Sequence, residues 1–276
     1  MTVPFGRRPA AACAATLLLT ALSATTSADH SWGNYHWART ANPFTLDIGD
    51  NVSSVWDASL NTASADWSQS RVRDTVVVPG RAKSKQCRPQ AGRVEVCNSA
   101  YGSNGWLGIA QIWASGSHIT QGSVKLNDTY FNTAQYNTPA WRALVVCQEV
   151  GHTFGLDHQD ENFDNANLGT CMDYTSNPST NQHPNAHDYQ ELEIIYAHLD
   201  STSTIGAELP FSNGVESGAG ATSSVGTPQG DVDLNEPSEW GRLRKTGRGG
   251  RTQIFERELG NGRRIFTFVI WAQPEG

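Results

Sequence analysis

Cys147-Gln-Glu-Val-Gly-His-Thr-Phe-Gly-Leu-Asp-His158 is the stretch whose reading decides the rest of this chain. Gln148 and His152 stand four residues apart, so on a helix they share one face, with Glu149 at the edge of the same cleft. Gly155 suits the left-handed turn that ends a helix and throws His158 back toward that pair. One nitrogen from each histidine and one oxygen from Gln148 make three ligands and leave a position open, which separates a catalytic zinc site from a structural one.

Working outward, the helix that carries the first half of the run starts at Asn137 or Thr138 as cap, with Pro139 at its first position and Trp141, Leu144 and Val145 along it. Upstream, residues 44–48 alternate like a half-buried strand. The segment 53–68 spaces Val55, Leu60, Ala63 and Trp67 like one helix face. Further strands are read at 74–79, in a loop-bearing hairpin around Val94 to Val96, at 106–113 and at 122–131. Downstream, a last helix is expected from Asn185 to Leu199, with Asp188 completing its cap and Tyr189, Leu192, Ile195 and Leu199 on one stripe.

The first 28 residues are laid out as a secretory signal peptide: Arg7 and Arg8, an apolar run through Leu17 to Leu19, then small residues to Ala28. The run falls short of the roughly 20 apolar residues of a membrane span. Of five cysteines, Cys13 lies in that segment, and the remaining four read as disulfides in an exported protein, with three possible connectivities. Sequence proximity favours Cys87 with Cys97, which leaves Cys147 with Cys171. The charge of −7 is concentrated before residue 225, which argues against nucleic acid as a partner. The expected organisation is a signal peptide at 1–28, a catalytic domain at 29–200, a Ser/Thr/Gly/Pro-rich linker at 201–230 and a small β-hairpin region at 231–276. Two strands rarely stand alone in water, so that region must dock on the body, pair with a partner or gain strands from the preceding segment.

The run at 147–158 resembles the metzincin signature H-E-x-x-H-x-x-G-x-x-H, with Gln148 where the family has its first histidine. Cys171-Met-Asp-Tyr174 is similar to that family's methionine turn, in the Met-x-Tyr form of astacins and serralysins. The resemblance, which extends to matrix metalloproteases, covers about residues 44–199. It implies an α/β zincin: a five-stranded mixed, twisted sheet, two long helices and a small lower subdomain with a C-terminal helix. It also implies one catalytic Zn2+ on Gln148, His152 and His158, with Glu149 as general base toward a metal-activated water. Met172 becomes the floor under the metal and Tyr174 a stabiliser of the oxyanion. Leu107, Gly108, Ile109 and Ala110 become the edge strand on which an extended substrate pairs. Gly155 and the Cys147–Cys171 pair then serve as structural parts of the site.

The implied protein is a secreted, monomeric endopeptidase acting on proteins or peptides, free of membrane once processed. Gln148 leaves a rival open, because an amide oxygen is a weaker zinc ligand than imidazole: a secreted binding or adhesion protein on the same scaffold, without catalysis. Metal content separates the two. Asp157, Asp160, Glu161, Asp164, Asn165 and Asn167 add a density of oxygen atoms suited to Ca2+, although such loops are more often merely polar.

Overall fold

The computed structural model describes residues 1–2, 29–206 and 234–273, so residues 3–28 of the expected signal segment and residues 207–230 of the expected linker lie outside the described residues. In chain order the strands are β1 (His36–Trp37), β2 (Phe44–Asn51), β3 (Arg73–Pro79), β4 (Val94–Ser99), β5 (Trp106–Ser115), β6 (His118–Asn127), β7 (Arg242–Thr246), β8 (Thr252–Gly260) and β9 (Arg263–Trp271). The helices are α1 (Ser54–Trp67), the single turn α2 (Asp128–Phe131), α3 (Pro139–His152) and α4 (Ala186–Ile195). The result is a mixed α/β protein built on one large mixed sheet.

The sheet runs in the order β3-β2-β4-β6-β5-β9-β8-β7, with β1 pairing β6 beside this path. The first four of these strands are parallel neighbours, and β5 then reverses against β6. Up to β5 this is the expected five-stranded mixed sheet. The expectation that the sheet ends there is overturned, because β9 pairs antiparallel with β5 from Ser115 to Trp106, and β8 and β7 follow as a meander. The hairpin expected around Gly260-Asn-Gly262 is present, and 242–246 adds a third strand to it.

The reason is that β5 is buried on both faces. Leu107, Ala110, Ile112 and Ala114 belong to the main core, while Trp106, Ile109 and Trp113 pack with Leu234, Trp240, Ile265 and Val269 in a second core. Burying side chains of this size contributes about 1.5–3 kcal/mol each. Left alone, the five-stranded body would expose a two-tryptophan face, and the C-terminal strands cover it.

Two helix readings need correction. In α1 the buried face is Trp56, Leu60, Ala63 and Trp67, while Val55 is exposed. Trp56 wins the inward position because its ring packs edge-on to Phe131 and its indole N–H donates to Asp128 at 3.0 Å. The last helix starts at Asn185 with the Asp188 capping box, as expected, but ends at Ile195 rather than Leu199. Tyr196 turns into the core there, its hydroxyl donating to the Phe154 carbonyl at 2.9 Å, and Leu199 is left outside. Both expected disulfides are formed, Cys87–Cys97 and Cys147–Cys171. No helix among the described residues is long and apolar enough to cross a membrane.

Candidate metal centre

Helix α3 begins as the sequence suggests: the Thr138 hydroxyl accepts the Trp141 amide at 3.2 Å and Pro139 takes the first helical position. Its C-terminal half buries Gln148, Glu149 and His152. Gly155 has φ +94, and a side chain there would collide with the Tyr35 carbonyl. A residue without Cβ therefore reverses the chain, and the reversal delivers His158 to His152 with their Nε2 atoms 3.1 Å apart.

Each donor is fixed by its other polar atom. His152 Nδ1 lies 2.9 Å from the Leu156 carbonyl, so that nitrogen carries the proton and Nε2 bears the free lone pair. His158 Nδ1 faces the Tyr174 hydroxyl at 2.8 Å. Gln148 donates its amide nitrogen to the Cys171 carbonyl at 3.0 Å, and its Oε1 is buried without a partner. The Cys147–Cys171 disulfide holds that carbonyl against the helix that carries Gln148. Two ligands on one tetrahedral zinc stand about 3.3 Å apart when the bonds are about 2.0–2.1 Å, close to the spacing of the two Nε2 atoms. An orphaned amide oxygen and two facing ring nitrogens fit a cation that accepts neutral N and O donors.

Both oxygens of Glu149 are also buried without a hydrogen-bond partner. Burial pushes its carboxyl well above the usual range; the Ala110 amide lies near enough to oppose this slightly, without ordinary hydrogen-bond geometry. Burial likewise lowers both histidines, keeping them neutral and metal-competent. Met172 is buried under α3, where an added Cβ on Gly151 would meet its Sδ at 2.6 Å. Gly151 is thus a site residue that the sequence reading passed over as a spacer.

The C-terminal strands close this centre from above. Phe268 of β9 stacks on His152 at 4.5 Å between ring centroids and 11° between planes. Gly247 lies on Tyr174, so closely that a Cβ there would meet the ring at 2.6 Å. Lys245 reaches Asp157 at 2.6 Å and pairs with Glu161. Burial would raise the Asp157 carboxyl, but His158 and Lys245 more than outweigh it and hold it below the usual carboxylate range. Two of the oxygen ligands expected for calcium therefore hold a lysine, and Asp160 is engaged by the Asn162 amide and the Asn165 side chain.

The expected substrate edge is corrected here as well. Leu107, Gly108, Ile109 and Ala110 lie on an interior strand, with Gly108 to Ala110 registered against Ile270 to Phe268. Their position beside the centre holds, since a Cβ on Gly108 would meet Glu149 Oε1 at 3.0 Å. Glu149, His152 and Gln148 are at most 1 % exposed and His158 is 6 % exposed, so the centre is closed to polypeptide. No signal for Phe268, Lys245 or Gly247 was available locally, because each lies about seventy residues or more beyond the residue it covers.

No protein-family model matches the chain, and no curated protein matches it. Among solved structures it is similar to the structure of myroilysin, at 13% identity and a TM-score of 0.32, over 58% of this chain and 82% of that one. A likeness at that level carries no argument, and the functional reading rests on the side chains.

Proposed function

We propose that this chain is an exported zinc-dependent endopeptidase, with Gln148, His152 and His158 as ligands and Glu149 as general base, whose full-length form is held closed by its own C-terminal strands. The observation that carries it is that Gln148 Oε1 and both Glu149 oxygens are buried without a hydrogen-bond partner, on the helix whose His152 Nε2 faces His158 Nε2 at 3.1 Å. Three such omissions on one helix end are costly unless a cation is meant to answer them. When bound, zinc supplies Lewis acidity and lowers the pKa of water toward about 7.

The protein's own contribution is to orient and to move a proton. Glu149, stripped of donors, is a strong base for the proton of the attacking water once a neighbouring cation draws it into the ionised form. Tyr174 steadies His158 through Nδ1 in the closed form. Its part as an oxyanion donor needs that hydroxyl to swing away, which needs Gly247 to leave. Residues 107–110 offer their backbone to an extended polypeptide only after β9 is displaced, so the substrate takes the place of the protein's own strand. The two disulfides suit an extracellular location.

One observation favours the rival: a site this closed, in a strand order this continuous, also suits a secreted binding protein in which the centre is no longer used for catalysis. The test is casein and short-peptide cleavage by the full chain and by Lys245→Glu/Phe268→Ala, with and without chelator and with Glu149→Ala added. Cleavage that is slow in the full chain, rises in the loosened variant, and vanishes with chelator or with Glu149→Ala supports the proposal. A folded, zinc-loaded, loosened variant that cleaves neither substrate sinks it in favour of the binding protein.

A further inference from the structure

We propose a second metal site, built from His36, His198 and Asp200 with His118 on the same carboxylate, that takes zinc or a similar divalent cation favouring nitrogen and oxygen donors. It does not depend on the endopeptidase reading.

Its donors come together through the fold. β1 pairs with the start of β6 in parallel, which sets His36 directly beside His118. The chain leaving α4 then returns to the same place, where the Asp200 amide donates to the Arg39 carbonyl at 2.9 Å and the Thr204 amide to the Ala38 carbonyl at 2.9 Å. This puts His198 and Asp200 over the histidine pair.

The polar atoms are arranged for a shared cation. Asp200 uses one oxygen, Oδ2, for the Arg39 amide at 3.1 Å and the Arg39 guanidinium at 2.9 Å. The other, Oδ1, faces three imidazoles: His118 Nε2 at 3.2 Å, His36 Nε2 at 3.4 Å and His198 Nε2 at 3.7 Å. His36 Nε2 and His198 Nε2 are themselves 3.1 Å apart. His36 Nδ1 lies 2.7 Å from the Asn34 carbonyl, which orients the ring so that Nε2 faces an anionic oxygen and another ring nitrogen. A divalent cation placed among these atoms would be held by all of them at once. Ligand separations on a tetrahedral ion with bonds of about 2.0–2.1 Å are about 3.3 Å, and the three separations among His36, His198 and Asp200 lie between 3.1 and 3.7 Å. His36, His198 and Asp200 satisfy the spacing of a metal-binding triad, and His118 meets the same carboxylate oxygen from outside that triad.

Two imidazoles and one carboxylate hold the ion, and His118, on the same carboxylate oxygen, supports it from β6. Its effect is to clamp three chain-distant pieces, the N-terminal segment, the sheet at β6 and the chain after α4. Arg39, which also donates to the Tyr196 and His198 carbonyls, holds the carboxylate in place from the far side.

The experiment counts zinc by mass spectrometry after dialysis of the full chain, of His118→Ala/His198→Ala, and of His152→Ala/His158→Ala, with thermal melting of each with and without added zinc. His118 and His198 are the partly exposed members, so their removal leaves the core intact. Each histidine pair should account for one zinc: the His152/His158 variant keeps one ion and still melts higher with zinc, and the His118/His198 variant loses one ion and most of that shift. In His198→Cys, cobalt loading should add a thiolate-to-cobalt absorption band. A folded His152/His158 variant that binds no zinc, or a His118/His198 variant whose metal count and zinc-dependent melting match the parent, overturns the proposal. A parent with a single ion that vanishes with His118/His198 overturns the central site instead and leaves this one standing.

Discussion

The two histidine centres of this protein solve the same problem in opposite ways. The central one takes Gln148, His152 and His158 from a single helix end and the turn after it, uses only neutral donors, and is buried beneath β9. The peripheral one draws His36, His198 and Asp200, with His118 against the carboxylate, from three distant parts of the chain, includes an anionic oxygen and stands partly in solvent. Neutral donors leave a dication's charge less compensated, so an ion at the proposed central site would be the weaker bound at equilibrium although the better shielded. Such a contrast suits an ion that must present itself to chemistry in one place and hold chain segments together in the other.

The largest expected effect tests the chemical half of this contrast. Glu149→Ala should lower peptide cleavage by the loosened Lys245→Glu/Phe268→Ala chain about a thousandfold, within the range for loss of a general base, while both zinc ions stay bound. Substitution of His198, by comparison, should change melting and leave the cleavage rate per folded molecule unaltered. If Glu149→Ala strips the central zinc, the carboxylate is a ligand and the assignment of Gln148 fails.

Reduction of Cys147–Cys171 comes next. The bridge spans 24 residues of separation and ties the start of the ligand half of α3 to the methionine turn. Its loss should cost about 3 kcal/mol in a chain-entropy account, which for a domain of this size lowers the melting midpoint by roughly 10 °C. Central zinc affinity should fall with it, because the Cys171 carbonyl orients Gln148, while the peripheral ion stays. Equal loss from both centres would mean that the bridge acts on the whole fold.

Gln148→His should then sharpen the difference by narrowing it. An imidazole in place of the amide oxygen gives the centre three nitrogen donors, and its zinc affinity should rise at least about tenfold. Competition with a chelator, monitored by metal release, is the check. No change would show that Oε1 does not reach the ion.

How much of this was legible follows from the same contrast. The approach of His158 to His152 was readable because a helix end and one glycine turn bring them together within a few residues. Strands β2, β3 and β5 and helix α3 were readable because their apolar runs, cap and proline act locally, whereas Val94–Ser99, expected in a hairpin, is instead a parallel strand between β2 and β6, a pairing made by the assembled sheet. The inward turn of Trp56 instead of Val55 was not, since it depends on Asp128 and Phe131 far along the chain. Nor was the peripheral centre, of which only His198 and Asp200 are neighbours in sequence. The C-terminal hairpin was visible as a hairpin, but its docking place was not: pairing with β5 is chosen by the exposed Trp106, Ile109 and Trp113 face, a property of the assembled sheet.

The smallest expected effect probes that docking. Lys245→Ala removes the cation between Asp157 and Glu161, beside His158. With its side chain 36 % exposed, solvent screens the pair, and the stability loss should be no more than about 1 kcal/mol. Its influence on the centre should exceed its influence on stability, since Asp157 and Glu161 regain uncompensated charge near the ligands and β7 loses its tie to the loop. Chelator should therefore remove the central zinc faster from Lys245→Ala than from the parent at nearly equal melting midpoints, and the peripheral zinc at the parent's rate. Unchanged release from the centre would mean that the hydrogen bonds of β9 to β5 and the Phe268 stack keep the site closed without help from this lysine.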